Sequence, residues 1–502
     1  MTLETAPRRR CWTCRDRKVR CDLTLPFCRT CARTGRKCQG YGLRLSWPAA
    51  TDKRRSIVGS HLAKPTTLRR SVGPHHFINT SVWDVKFHDC VSNWDPSAGL
   101  WLLEWHQPAI PTSPKITGAA TRGISQDLVT YFTHEVAVAH ASTTISASWF
   151  SSVVLKLALI DDSPSSAAVL NSMLALSSLY YRGHDRNALQ YKTKALSALR
   201  ASLKIPFGMR EAQQHIAAGM LLCSFEIFVH SDTSFQWPLY LYGAKRMLDT
   251  YYHGRAGDSD LDMLIVWTHY HDILGRLTAR HWRDDEQKTR PNPYCGQSDH
   301  APALALQDQV STSPQQVLGI TGCSLELLDL IAQIAQLTTS THGIILDQIE
   351  SKLIALRQEN TIPGQIDQSK DTRNILKIAE LYRLSALVYL ERILRKRLTV
   401  SEQLQGWIND AFTILSQLEV CPRQFPLLIL GCEAMTEDQR LEITRIFRNT
   451  SALPTQRSID CNRHTVERFW VQRDLLTTED PIDYSLLFDA VMRTGDVLPT
   501  IV

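Results

Sequence analysis

Six cysteines between positions 11 and 38 constrain this chain more than anything else in it. In CWTCRDRKVRCDLTLPFCRTCARTGRKC they fall as C-x2-C-x6-C-x6-C-x2-C-x6-C, so each of two C-x2-C pairs is followed by a lone cysteine at the same distance. A segment this short cannot bury enough apolar surface to fold unaided, and it needs a cross-link or a metal. Zn²⁺ takes four ligands in a tetrahedron and favours thiolate, and a C-x2-C pair at a helical first turn sets two sulfurs on one side. Six thiols complete two tetrahedra only if two sulfurs are shared, since two such ions need eight positions. A two-zinc cluster is the reading; a disulfide framework and a single zinc with spare cysteines are its rivals.

The rest of the chain argues against disulfides. The other seven of its 13 cysteines are scattered without motif spacing, a usage that suits a reducing compartment where lone cysteines act as small buried apolar residues. The start, MTLETAPRRRCW, has no apolar stretch of the kind a secretory signal carries, and nothing approaches the roughly 18 apolar residues of a membrane span. A soluble intracellular protein without membrane contact is expected. At 502 residues, a small module plus one large domain is the natural organisation.

Charge is divided unevenly along the chain. Residues 1 to 70 carry 18 Lys/Arg against 4 Asp/Glu, while the remainder carries 38 against 46. A basic head on a mildly acidic body points to a polyanion partner for the head. Arg15, Arg17, Lys18 and Arg20 lie between the second and third cysteines, where a metal-held turn would aim several cations at one surface. Such groups bond phosphate oxygens and the O6/N7 edge of guanine in the major groove. The bland alternative is a solvated run of charge. Arg36 and Lys37 are weaker phosphate candidates.

The cysteine spacing, the opening CWTCRDRKVRCD and Pro26 two residues before Cys28 together resemble the fungal Zn2Cys6 binuclear-cluster transcription factors. That resemblance implies two zinc ions with Cys11 and Cys28 bridging. One ion takes Cys11, Cys14, Cys21 and Cys28, and the other takes Cys11, Cys28, Cys31 and Cys38. It further implies that Lys18 reads a CCG-type triplet of double-stranded DNA, with Arg15, Arg17 and Arg20 on phosphates. Members commonly dimerise through a coiled coil behind the cluster, but no sustained apolar heptad runs from Leu43 to Val72. A monomer, or a homodimer without a linker coiled coil, is expected.

Behind the cluster, residues 46–75 read as a basic, Pro-containing linker, and 76–114 as an irregular segment rich in aromatics. After about Ser125 the 3.6-residue period dominates. Helices are predicted at 165–204 (a hairpin broken at Gly183-His184-Asp185) and near 211–229, 236–252, 258–281, 324–337, 343–357, 372–397 and 402–419. Stretches 284–317 and 358–371 read as loops. The predicted fold is a small two-zinc Zn2Cys6 module followed by a large all-α regulatory domain: 1–45, the linker 46–75, and 76–502. ALQYKTKALSAL, FQWPLYLYGAKRML and FPLLILGCEAMTEDQRLEITRIF resemble the fungal-specific transcription factor domain, which implies binding of a metabolite or of transcriptional co-regulators.

Catalysis finds no support in the sequence. HYHD at 269–272 lies on a helical pattern with no third ligand and reads as core or surface histidines. Asp258, Asp260 and Asp262 begin like a calcium loop, but Met263 stands where a glycine is needed. No Walker loop, G-x-S-x-G or dinucleotide fingerprint is present. The acidic-hydrophobic run at 477–492 reads first as a last amphipathic helix packed on the body and second as an activation segment. A nuclear, DNA-binding regulator of RNA polymerase II genes is the expected function. A zinc-cluster protein-interaction module on a helical scaffold is the alternative.

Overall fold

The computed structural model describes residues 10–24, 28–38, 124–183, 186–204, 207–229, 236–252, 259–282, 309–337, 343–360, 370–397, 401–451, 457–475, 483–493 and 501. Pro26, the linker with its missing heptads and the aromatic-rich segment lie outside these residues, as do most of the two internal loops. Two compact units divide between His76 and Phe77.

The described residues of the first unit hold two five-residue helices, α1 (Trp12–Asp16) and α2 (Arg29–Arg33). Each begins on a cysteine whose sulfur accepts the backbone N–H three residues on, as an oxygen N-cap would. Each ends on a residue in the left-handed region, Lys18 (φ 55°) after α1 and Gly35 (φ 63°) after α2. Beyond it, Val19 N–H bonds the Cys14 carbonyl and Arg36 N–H bonds the Cys31 carbonyl, closing the turns alike. The four cysteines Cys11, Cys14, Cys28 and Cys31 form the interior, with Val19, Cys21 and Cys38 packed against them.

The second unit is built from helices; its described residues contain isolated bridges but no strand. Its described part opens with α3 (Ile124–Tyr131), which passes through a π-helical turn at Phe132–Val136 into α4 (Ala137–Ala139). Then follow α5 (Thr144–Leu159), α6 (Pro164–Arg182), α7 (Arg186–Ser202), α8 (Met209–Phe228), α9 (Trp237–Tyr251) and α10 (Ser259–Trp282). The second half comprises α11 (Leu325–Gln336), α12 (Gly343–Ala355), α13 (Lys370–Tyr389) with a π-helical turn at Leu390–Leu394, α14 (Glu402–Leu415), α15 (Gln424–Cys432), α16 (Glu437–Ser451), α17 (Arg457–Leu475) and α18 (Tyr484–Arg493).

Local chemistry explains the starts and stops. Thr143, Ser163, Ser324 and Ser401 cap α5, α6, α11 and α14 with their hydroxyls, and Pro164 occupies the first position of α6, where its missing N–H costs nothing. Gly183 ends α6 with φ 74°, so the hairpin expected over 165–204 turns where the sequence placed its break. The α6–α7 pair packs along its length, and α6 also lies against α8.

Among the described residues one large apolar cluster runs through the helices of the second unit, with a small separate cluster of Val317, Ile375 and Ala379. Most of α8, from Ala212 to Ile227, is buried, and α10 contributes Trp267 and Tyr270, both nearly inaccessible. Tyr270 and Tyr382 share a hydroxyl–hydroxyl hydrogen bond of 2.6 Å, tying α10 to α13. Arg392 and Glu433 form a buried two-pronged ion pair at 3.0 and 2.9 Å, with Tyr484 of α18 beneath the guanidinium. Burial pulls Arg392 toward neutrality, but the Glu433 carboxylate outweighs it and its pKa is raised. Helix α18 buries Leu487, Phe488, Val491 and Met492, so the described part of the 477–492 run is a packed helix. No helix among the described residues is long and apolar enough to cross a membrane.

Candidate metal centre and nucleic-acid interface

The capping pattern of the first unit brings its sulfurs together. Cys11, Cys14, Cys21 and Cys28 hold their Sγ atoms within 4.8 Å of one another, and Cys11, Cys31 and Cys38 do likewise. Cys11 belongs to both sets, while Cys28 falls in the first. A tetrahedral zinc with Zn–S of about 2.3 Å spaces its sulfurs by about 3.8 Å. The observed separations of Cys11–Cys31 (3.8 Å) and Cys14–Cys28 (3.5 Å) match that spacing. All six cysteines are free of disulfides, so the disulfide framework is not formed.

The donor chemistry fits a dication as well as the spacing does. Burial raises the thiol pKa of Cys11 and Cys28 and pushes Cys14 up to about 12. Such thiols lose their protons readily only when a cation takes the proton's place. The N–H groups of Cys14 and Cys31 point at the Cys11 and Cys28 sulfurs and favour the ionised form. Further bonds complete the frame: Thr13 Oγ1 donates to the Lys37 carbonyl at 3.2 Å, joining the two halves, and within the first half Cys11 N–H donates to Cys21 Sγ at 3.4 Å.

Asp22 was not singled out by sequence reasoning, yet it joins the halves most directly. Its carboxylate accepts the N–H groups of Arg29 (3.1 Å) and Thr30 (3.3 Å), the first residues of α2, and the Thr24 hydroxyl. The Thr24 contact foremost, with these backbone donors, holds Asp22 well below the usual carboxylate range. An Asp immediately after the third cysteine and seven residues before a second helical start was its signal in the sequence.

The cations stand on the outside of this frame. Arg15, Arg17, Lys18 and Arg20 are all exposed. Arg15 lies over the Trp12 ring at 4.7 Å, Arg17 is the C-cap of α1, and Lys18 occupies the left-handed position. The left-handed turn thus throws Lys18 off the helix end rather than along its side. Arg36 and Lys37 are exposed beyond α2.

Among the described residues, which exclude Asp258, the other metal-like motifs do not assemble. In HYHD, His271 is buried with its Nδ1 on the Trp267 carbonyl at 2.9 Å, and Asp272 pairs with Lys245 and Arg276, each at 2.8 Å. Asp260 pairs with Lys156, and Asp262 accepts the Ser311 N–H at 3.2 Å, both from within helix α10.

Comparison with known proteins gives the following. A model of the fungal Zn(2)-Cys(6) binuclear cluster domain matches residues 9–48, and a model of the fungal specific transcription factor domain matches residues 127–496. The chain is 30% identical over 354 residues to transcription factor iacI of Pestalotiopsis fici, covering 70% of this chain and 88% of that one. It is 51% identical over 37 residues to the arginine metabolism regulation protein II of Saccharomyces cerevisiae, 7% of this chain and 4% of that one. With the acriflavine sensitivity control protein of Neurospora crassa it shares 31% identity over 71 residues, 12% of each chain. No solved structure matches.

Proposed function

The chain belongs to the fungal Zn2Cys6 transcription factors that carry a fungal-specific transcription factor domain, and on that premise we propose that it regulates RNA polymerase II genes in the nucleus by reading CCG-type triplets. One zinc is assigned to Cys11, Cys14, Cys21 and Cys28 and the other to Cys11, Cys28, Cys31 and Cys38. Bound zinc would supply the positive charge that holds the thiolates together. Lys18 is the base-reading residue, and Arg15, Arg17 and Arg20 hold phosphates. The domains follow the sequence reading: 1–45 for DNA, 46–75 as linker and 76–502 as the regulatory body, which offers a surface to co-regulators and for homodimer formation.

The observation that carries this reading is the convergence of six sulfurs beneath four exposed cations, with Lys18 turned outward by a left-handed backbone. Electrophoretic mobility or fluorescence anisotropy with CCG-containing duplexes tests it. Triplet-dependent binding should disappear on Cys14→Ala and on chelation, and Lys18→Ala should remove the triplet preference while leaving part of the salt-sensitive affinity. Binding indifferent to the triplet, or untouched by loss of Cys14, would favour a protein-interaction module.

A further inference from the structure

A partly open cavity in the second unit, lined from α6, α8, α10 and the segments around His140 and Arg423, has the makings of a ligand site. It leaves about 60 Å³ in which the centre of a water molecule can sit, where one water needs about 10–15 Å³. Its walls include the aromatic rings of Tyr180, Phe228 and Trp267, and among the described residues no carboxylate lines it.

Two features of the wall are unusual for a mere packing defect. The first is Arg423, 5% exposed, whose guanidinium donates only to neutral oxygens: Ser142 Oγ at 3.0 Å, the Gly319 carbonyl at 3.1 Å and the His140 carbonyl at 3.4 Å. Its charge also rests on the face of Tyr270, 5.6 Å from the ring centre. Among the described residues no carboxylate pairs with it, although a buried cation without a counter-charge is costly. The second is a set of buried polar atoms with no partner among the described residues, His140 Nε2 and Ser224 Oγ, both belonging to residues of the cavity wall.

The histidines are chemically defined. His140 and His271 each direct Nδ1 at a helix carbonyl, Val136 O and Trp267 O, both at 2.9 Å. A carbonyl can only accept, so Nδ1 carries the proton and Nε2 is an acceptor in the neutral ring. Burial foremost keeps both rings neutral, aided at His140 by the Arg423 charge and at His271 by His140 and then Arg423, lowering His140 to about 4 and His271 to about 3. The wall therefore offers one cationic donor, two ring acceptors and a set of aromatic faces.

We propose that this cavity binds a compact aromatic acid bearing a hydroxyl, its carboxylate on Arg423, its hydroxyl donated to a histidine Nε2 and its ring against Trp267 and Phe228. The inference goes beyond DNA recognition and concerns residues of the second unit alone. The carboxylate supplies the counter-charge that Arg423 lacks, and the ring fills the apolar side of the space.

The test is calorimetric titration of the zinc-loaded full-length protein with 4-hydroxybenzoate, benzoate and 4-hydroxybenzyl alcohol. 4-Hydroxybenzoate should saturate one site, benzoate should bind more weakly, and the neutral alcohol should bind at least about 10-fold more weakly, the worth of a charge-assisted contact. Arg423→Gln should lose a similar factor. Should that variant unfold, Ile459→Phe, which enlarges a side chain of the cavity wall, decides instead: it should keep the thermal transition and abolish binding. No saturable heat with either acid, equal binding of acid and alcohol, or wild-type affinity in Ile459→Phe would overturn the assignment.

Discussion

Lys18 occupies a backbone position that glycine fills more comfortably, and the matching position in the second half is indeed Gly35. A side chain in the left-handed region costs about 1 kcal/mol relative to glycine. Lys18→Gly should therefore leave the zinc-loaded module as stable as before, or more stable by about that amount in denaturant titration, while triplet recognition is lost. A variant that lost both zinc and DNA would make Lys18 a structural residue instead. The basic run that holds Lys18 was visible in the sequence, and its role there was implied by the family resemblance, but its φ was not, because lysine is rarely chosen for such a conformation. Asp22 left only a positional signal, because its backbone partners lie seven and eight residues on, at the start of α2.

At the level of the elements, the period of apolar residues was a good guide wherever a helix has one buried face. The predicted segments at 211–229, 236–252, 258–281, 324–337 and 343–357 correspond to α8 through α12 within about two residues at either end. Helices buried almost all round are harder to read, since they have no polar face to set a period: α15, QFPLLILGC, is buried along its whole length. Nor could periodicity show the π-helical turns, which differ from their neighbours by a single residue per turn. The tie between α13, α15 and α18 rests on charge. Glu433→Gln leaves the buried Arg392 cation without its partner and should cost about 3–5 kcal/mol in urea unfolding, whereas replacing both by apolar residues should recover most of it. An effect below about 1 kcal/mol would mean that the pair is solvated in solution.

For the molecule as a whole, the helical class and the separate cysteine module were legible, because both follow from local pattern. The cavity was not. His140, Ser224, His271 and Arg423 are distant in sequence, and each reads alone as an ordinary core or loop residue. Their burial has a consequence for pH. His140 and His271 titrate near 4 and 3 when folded but near 6.5 when unfolded, so the unfolded chain takes up protons first. Stability is complete above about pH 6.5 and falls as the solution is acidified, by up to about 1.4 kcal/mol per pH unit for each histidine. Calorimetry of the body between pH 7.5 and 4.5 should show this slope, reduced by about one proton in His271→Asn. An unchanged slope in that variant would mean that His271 is protonated in the native state.

The two cysteine halves superpose in sequence at an offset of 17 residues, with Cys11, Cys14, Lys18 and Cys21 answering to Cys28, Cys31, Gly35 and Cys38. Their backbones turn alike, so the scaffold by itself has no preferred direction along a double helix. Head and tail are told apart only by what is mounted on it. Exchanging the two left-handed residues, Lys18→Gly with Gly35→Lys, would leave the frame in place and move the protruding ammonium to the opposite lobe. On the proposed reading, polarity on DNA is in this sense a removable attachment, carried by Lys18 together with Arg15 and Arg17, whose counterparts at the same offset are Ala32 and Thr34.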